Sequence, residues 1–315
     1  MSQAVPTRDG FGNAVTALGA ENDRIVVLSG DLEDATRAEF FKFEYPDRFF
    51  NLGITEQDVI GTAAGLAKMG FIPFACSFAV FMTNRAYDQI RLDVCYNKTN
   101  VKIVCSHGGV TVGEDGASAQ CLEDFAIMRV LPNMTVVCPA DVNEAVRATR
   151  LMAETPGPFY MRTSRAAFPV VTGPDDPFEF GKAKVMREGQ DAAIIACGLM
   201  VSESLKAAEL LVKDGIEARV INMHTIKPID RDAVVKAARD TRAVVTAEEH
   251  QINGGLGGAV AEVLATEFPV PLEMIAVRDS FGETGSPEQL LTHFHLKDED
   301  IAAAVKKAIA RRDKA

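Results

Sequence analysis

Short apolar runs alternate with helix-periodic stretches through most of this chain, and that alternation restricts its fold more than any other feature. Strand candidates in the first half are Ile25–Ser29, Phe49–Leu52, Ile72–Cys76, Val101–Ser106, Met134–Cys138 and Phe159–Arg162. Helical spacing fits Gly10–Asn22, Glu56–Met69, Asn84–Tyr96 and Val142–Glu154. A second series follows, with strands at Ala192–Cys197, Glu217–Asn222, Ala243–Glu248 and Leu272–Ala276 and helices at Val201–Asp214, Arg231–Thr241 and Gly257–Glu267. Strands separated by helices imply an α/β fold with largely parallel sheets. Between the two series lies Val171-Thr172-Gly173-Pro174-Asp175-Asp176-Pro177, which is turn-rich and aperiodic. The expected division is therefore a first domain at 1–172, a linker at 173–182 and a second domain at 183–315. At 315 residues, each of two domains can bury a core of its own.

Bulk properties exclude several classes. A net charge of −11 argues against a nucleic-acid-binding surface, which needs a concentrated basic stripe. It leaves anionic small molecules open, because a few placed arginines override a diffuse distant field. The cysteines (Cys76, Cys95, Cys105, Cys121, Cys138, Cys197) show no CxxC pair, and most sit in apolar runs, as buried free thiols of a reducing compartment do. Met1-Ser2-Gln3-Ala4-Val5-Pro6 has no apolar leader core, and no stretch approaches a membrane span. The expectation is a soluble, cytoplasmic protein.

Five groups could carry chemistry. Asn51-Leu52-Gly53-Ile54-Thr55-Glu56 reads as a strand end and turn, with Thr55 as N-cap and Glu56 in the first turn of a helix whose face carries Gly61, Ala64 and Gly65. Glu56 is then either a capping acid or a functional carboxylate. Phe78 and Phe81 follow the strand ending at Cys76, three residues apart. They fit a core pair or a ligand platform at the carboxyl end of a strand. The segment Ser106-His107-Gly108-Gly109-Val110-Thr111-Val112-Gly113-Glu114-Asp115-Gly116 also leaves a strand end, and it reads as a flexible polar loop or a site. It lacks the Lys-Ser/Thr ending of a phosphate loop. Arg8 and Arg165 suit a phosphate or carboxylate if they converge. Glu248-Glu249-His250 opens a strand-to-helix turn that could serve a domain interface or a site.

In this order, the pieces resemble the carboxyl-terminal half of transketolase, its pyrimidine-binding domain plus its final domain, over nearly the whole chain. The carrying motifs are Gly53-Ile54-Thr55-Glu56-Gln57 with its Gly/Ala helix, Ser77-Phe78-Ala79-Val80-Phe81, His107 through Gly113-Glu114-Asp115-Gly116, Leu131-Pro132-Asn133-Met134, Pro139-Ala140-Asp141, Thr225-Ile226-Lys227-Pro228-Ile229-Asp230, and Glu248-Glu249-His250 with Gly254-Gly255-Leu256-Gly257. The resemblance implies that Glu56 bonds the aminopyrimidine of thiamine diphosphate and promotes the tautomer that takes the thiazolium proton. It implies that Phe78 and Phe81 hold that ring, that His107 and Asp115 meet substrate hydroxyls, with His107 catalytic, and that Arg8 and Arg165 meet the phosphate. Two departures touch specificity. Ala119 stands where the family often has a second histidine, and Asn84-Arg85-Ala86-Tyr87 replaces a directly matching aromatic.

Neither Gly30-Asp31-Leu32 nor Glu114-Asp115-Gly116 supplies the Gly-Asp-Gly…Asn pattern that holds Mg2+ and the diphosphate in such enzymes. The resemblance therefore implies one subunit of a split transketolase, with those groups held by an N-terminal partner in an alpha2beta2 heterotetramer. The expected reaction transfers a two-carbon ketol unit between phosphorylated sugars. The alternatives are the beta chain of a 2-oxo acid dehydrogenase, a deoxyxylulose-phosphate-synthase-like enzyme, and a non-catalytic regulatory partner with a degenerate pyrimidine domain.

Overall fold

A computed structural model describes residues 4–314, and they form the expected α/β fold around two mainly parallel sheets. The readings made at Met1–Gln3 and at Ala315 lie outside the described residues. Among the described residues, no helix is long and apolar enough to cross a membrane. The larger sheet has the spatial order Thr225–Lys227, Thr135–Val137, Phe159–Arg162, Lys102–Ser106, Ile72–Phe78, Ile25–Ser29, Phe49–Asn51. Its pairings are parallel except at Thr225–Lys227. The second sheet runs Leu272–Val277, Val244–Gln251, Ala192–Ala196, Ala218–Asn222, Lys184–Arg187, with the last pair antiparallel. Every residue of Ile25–Ser29, Lys102–Ser106 and Ala192–Ala196 is buried, as helices on both faces of a parallel sheet require.

Helix Thr7–Glu21 packs on helix Val142–Glu154 at very close range. A Cβ at Gly10 would stand 2.6 Å from the Val142 carbonyl oxygen, so glycine permits the approach. All six cysteines are free and buried.

The differences from expectation are tertiary in origin. The helix expected over Asn84–Tyr96 is instead Ala79–Arg85, a short turn Tyr87–Gln89 and a wide π-turn Ile90–Tyr96. Asn97 N–H reaches back five residues to the Leu92 carbonyl, and the Asn97 amide and Thr99 hydroxyl donate to the Leu92 and Asp93 carbonyls, occupying acceptors that the wider turn leaves. Four short strands were not anticipated: Ala4–Pro6 pairs Ala167–Pro169, and Lys184–Arg187 and Thr225–Lys227 are edges of the two sheets. Thr225–Lys227 comes from the second half of the chain yet joins the first sheet. One core cluster accordingly mixes Met134 and Val136 with Met223 and Ile226.

From the adjacent strands Ile25–Ser29 and Ile72–Phe78 the chain leaves in opposite directions, to Phe49–Asn51 on one side and to Lys102–Ser106 on the other. Such a switch point opens a crevice at the carboxyl ends of the strands. Phe78, His107 and Arg162–Arg165 all stand at those ends.

Candidate active site

Gly53, at φ 74°, turns the chain from the strand Phe49–Asn51 into the helix Glu56–Lys68. Thr55 occupies the N-cap position, but its hydroxyl donates to the Leu52 carbonyl at 2.8 Å instead of accepting from the helix. The expected side-chain cap is therefore absent, because the tight turn offers that nearer acceptor. Glu56 opens the helix and is 3% exposed. Its carboxylate accepts from Arg85 Nη1 at 2.9 Å, while the arginine itself is half-exposed. On the same helix, Ala64 is buried, whereas Gly61 and Gly65 face open space.

Arg85 also lies 4.3 Å from the centroid of the Phe81 ring. Phe81 stacks on Phe78 at 5.5 Å with planes 18° apart, and Phe78 stacks on His107 at 3.7 Å and 15°. Four flat groups thus stand in a row, His107, Phe78, Phe81 and Arg85, and the row ends on Glu56. The sheet register makes this possible, since Phe78 pairs with Ser106 and so brings the following His107 alongside. Strand Ile72–Phe78 runs two residues past the expected end, and the next helix starts at once at Ala79. Both phenylalanines are half-buried, unlike core residues.

The segment after His107 is not a loose polar loop. Residues 107–113 are buried, and Val110–Asp115 forms two short 3-10 turns kinked at Gly113, where φ is 86°. His107 holds a left-handed φ of 64°, a strained conformation for a residue with a Cβ. Ser106 Oγ lies 2.6 Å from its Nδ1, and Asp115 Oδ2 lies 3.8 Å from its Nε2. Burial, reinforced by Arg8 and Arg165, pushes the His107 pKa down to about 3. Both arginines are therefore near the same imidazole. Arg165 donates to Val112 O and Glu114 and stands 3.7 Å from Asp115. Arg8 donates to Ala35 O, and its Nε is buried with no hydrogen-bond partner among the described residues.

The Glu248-Glu249-His250 cluster divides its work. Glu248 accepts the Leu256 and Gly257 amides, both at 2.7 Å, and so caps the helix Leu256–Glu267. His250 is buried and stacks on Phe125 at 5.1 Å. Glu249 crosses to the His107 segment and accepts from both the Thr111 amide, at 3.0 Å, and the Thr111 hydroxyl, at 2.8 Å. Burial raises the Glu249 pKa to about 7, against the opposing pull of Arg162 and Thr111. Beneath it, Arg162 and Asp124 form a fully buried ion pair, to which the Tyr160 hydroxyl donates at 2.6 Å. Burial opposes ionisation of Asp124, but Arg162 outweighs it and holds the carboxyl below its usual range.

Sequence placed Ser106 and Thr111 in a segment read as a loop or a site, and Glu249 in a turn read as a domain interface or a site, without a role for any of the three, and it gave Arg85 no site role. Arg85 had a usable signal, because it lies four residues after Phe81 and shares its helical face. For Glu249 the partner is 138 positions away, and no local pattern announces it.

The chain matches the family described as "Transketolase, pyrimidine binding domain" over residues 3–170 and that described as "Transketolase, C-terminal domain" over residues 181–301. It is 45% identical over 301 residues to a transketolase C-terminal section of Methanocaldococcus jannaschii, covering 95% of this chain and 94% of that one. It is 41% identical over 306 residues to a 6-deoxy-6-sulfo-D-fructose transketolase subunit of a Clostridium species, covering 97% of this chain and 95% of that one. A solved structure described as a split gene transketolase, an inactive beta4 tetramer, superposes with a TM-score of 0.90 at 46% identity, covering 98% of this chain and 100% of that chain. By sequence, by fold and by the order of its two domains, the chain belongs to the transketolase family.

Proposed function

We propose that this chain is the C-terminal subunit of a two-chain transketolase that moves a two-carbon ketol unit from a ketose phosphate to an aldose, using thiamine diphosphate. The observation that carries the reading is the place Arg85 occupies. A flat N–H donor lies over the Phe81 ring and bonds the buried Glu56 carboxylate. An aminopyrimidine presents the same combination, a flat face and an in-plane hydrogen-bonding edge, so these residues fit the ring. Phe81 would stack on it, and Glu56 would bond its edge in place of Arg85. Phe78 is already covered by Phe81 and His107, so it braces the platform from behind.

Bound thiamine diphosphate supplies an electron sink for the two-carbon unit while a carbon–carbon bond breaks and re-forms. Glu56 would hold a hydrogen bond to the ring and govern the proton there. His107 acts as a neutral imidazole, with Ser106 fixing Nδ1 and Nε2 turned toward Asp115, so it exchanges hydrogen bonds with substrate hydroxyls. Arg8 and Arg165 take the anionic end of the sugar, for which guanidinium groups are suited. They would take a sulfonate by the same chemistry, and sulfonate is the group in the name of the Clostridium relative.

The diphosphate and Mg2+ fall to the partner, an N-terminal subunit carrying Gly-Asp-Gly…Asn, in an alpha2beta2 assembly. The face offered to it carries the open Gly61 and Gly65, with Ile54 71% exposed and Met69 77% exposed at the two ends of the same helix. The units divide at 173–182.

The test is a thiamine diphosphate titration and a ketol-transfer assay on the reconstituted pair, with wild-type chain and with Glu56→Gln. The variant should fold and assemble, yet lose about 100-fold or more in turnover. Near-normal turnover would remove Glu56 from the role. Pyruvate decarboxylation with a lipoyl acceptor by the wild-type pair would replace the whole assignment with that of a 2-oxo acid dehydrogenase.

A further inference from the structure

We propose that Glu249 is a positioning residue for the substrate pocket: through it, the C-terminal unit fixes where His107 and Asp115 stand. The inference rests on the reading that these two residues meet the sugar.

Beyond the bonds inside its own 3-10 turns, the segment from His107 to Gly116 is tied by main-chain bonds near its two ends. Gly109 N–H donates to Cys121 O, and Gly116 N–H donates to Gly113 O. At its middle, between the Gln120 amide on Val110 O and Arg165 on Val112 O, Glu249 Oε2 accepts both donors of Thr111, four residues after His107 and four before Asp115. One oxygen taking two donors from one residue fixes both the position and the rotamer of Thr111.

Glu249 is itself immobilised. It lies in strand Val244–Gln251, and its carbonyl accepts from Arg162, whose guanidinium is locked on the buried Asp124. Its flanking residues are committed as well, Glu248 to a helix cap and His250 to the Phe125 ring. The substrate segment is shaped to receive it. Gly109 has φ 83°, and a Cβ there would fall on the Glu249 carboxylate. Elsewhere the second unit packs against glycines and takes one amide bond from Gln120. Gly113 abuts Pro287 and Gly285, and the Gln120 amide bridges Val110 O to Glu283 O.

A carboxylate serving only as glue between the units would disturb cofactor binding, turnover and substrate affinity together. A positioning carboxylate acts on substrate affinity selectively. The experiment uses the assembled enzyme with Glu249→Ala, Glu249→Gln and Thr111→Val. It measures KM and kcat for a phosphorylated ketose, thiamine diphosphate affinity, and amide hydrogen exchange across residues 110–115. Glu249→Ala should raise KM by about 10- to 100-fold, the scale of a misplacement near 1 Å. It should leave cofactor affinity unchanged, change kcat by under about threefold, and speed exchange in the segment. Glu249→Gln, which keeps an acceptor oxygen, should recover most of the KM. Thr111→Val, which removes one of the two bonds with little change in shape, should fall between, and it decides the matter if the alanine variant does not assemble. An unchanged KM in a folded Thr111→Val or Glu249→Ala enzyme would overturn the proposal, as would parallel losses in KM, kcat and cofactor affinity. Absence of ketol transfer in the wild-type assembly would instead strike the reading of the site, and the exchange rates would still show whether Glu249 holds the segment.

Discussion

The site is assembled from side chains that constrain one another face to face. His107 is pressed on Phe78, hydrogen-bonded by Ser106 and flanked by two arginines, so it is neutral above about pH 5. An unfolded histidine takes up its proton near 6.5, whereas the folded His107 resists until about 3. Stability from the neutral ring is therefore complete above 6.5 and is lost as pH falls toward 3. Histidine NMR of the folded chain should show the His107 ring neutral at pH 5, and a titration near 6.5 would contradict that. Arg165 makes a different prediction. Its Nη1 is shared between Val112 O and Glu114 on the segment that carries Asp115, and its charge bears on the pocket. Arg165→Ala should raise KM for a phosphorylated ketose on the order of tenfold or more, with a far smaller change in kcat, because charged hydrogen bonds are worth ~1.5–3 kcal/mol. An unmoved KM would remove the anion-binding role. At this scale, the Glu56 and His107 motifs were legible because each sits at a strand end beside a turn. The partners of Arg85 and Glu249, Glu56 and Thr111, were not, because those contacts exist only once distant elements meet.

Elements show the same division. The long buried strands and the helices Val142–Glu154 and Arg231–Thr241 follow from periodicity, since helices on both faces of a parallel sheet leave the strands little room for polar residues. The three-residue edge strands and the π-turn Ile90–Tyr96 do not, because their pairings and wide hydrogen bonds are set by neighbours in space. The His107 segment is the instructive case. Four glycines and three charged or titratable residues describe a mobile loop, yet the second unit closes over it and buries it. Its glycines therefore serve fit as much as freedom. Gly109→Ala must force a Cβ into a left-handed φ and onto the Glu249 carboxylate. It should cost about 1–3 kcal/mol, read as a lowered urea midpoint. An unchanged midpoint would show that the segment is not held as described.

Across the whole molecule, the two units share more than a linker. A strand from the second half extends the first sheet, a core cluster draws on both halves, and Glu249 reaches from one sheet to the pocket of the other. The second unit is thus bonded directly to the segment that carries His107 and Asp115. On the function proposed above, the chain presents half of a cofactor site: a carboxylate, a phenyl platform and a pair of arginines, beside a helix face with open glycines. The direct test of that claim is ketol transfer from a phosphorylated ketose, measured with this chain alone, with a Gly-Asp-Gly…Asn subunit alone, and with the two combined. The account predicts no transfer from either chain and thiamine-diphosphate-dependent transfer from the pair. Full transfer by this chain alone would contradict it.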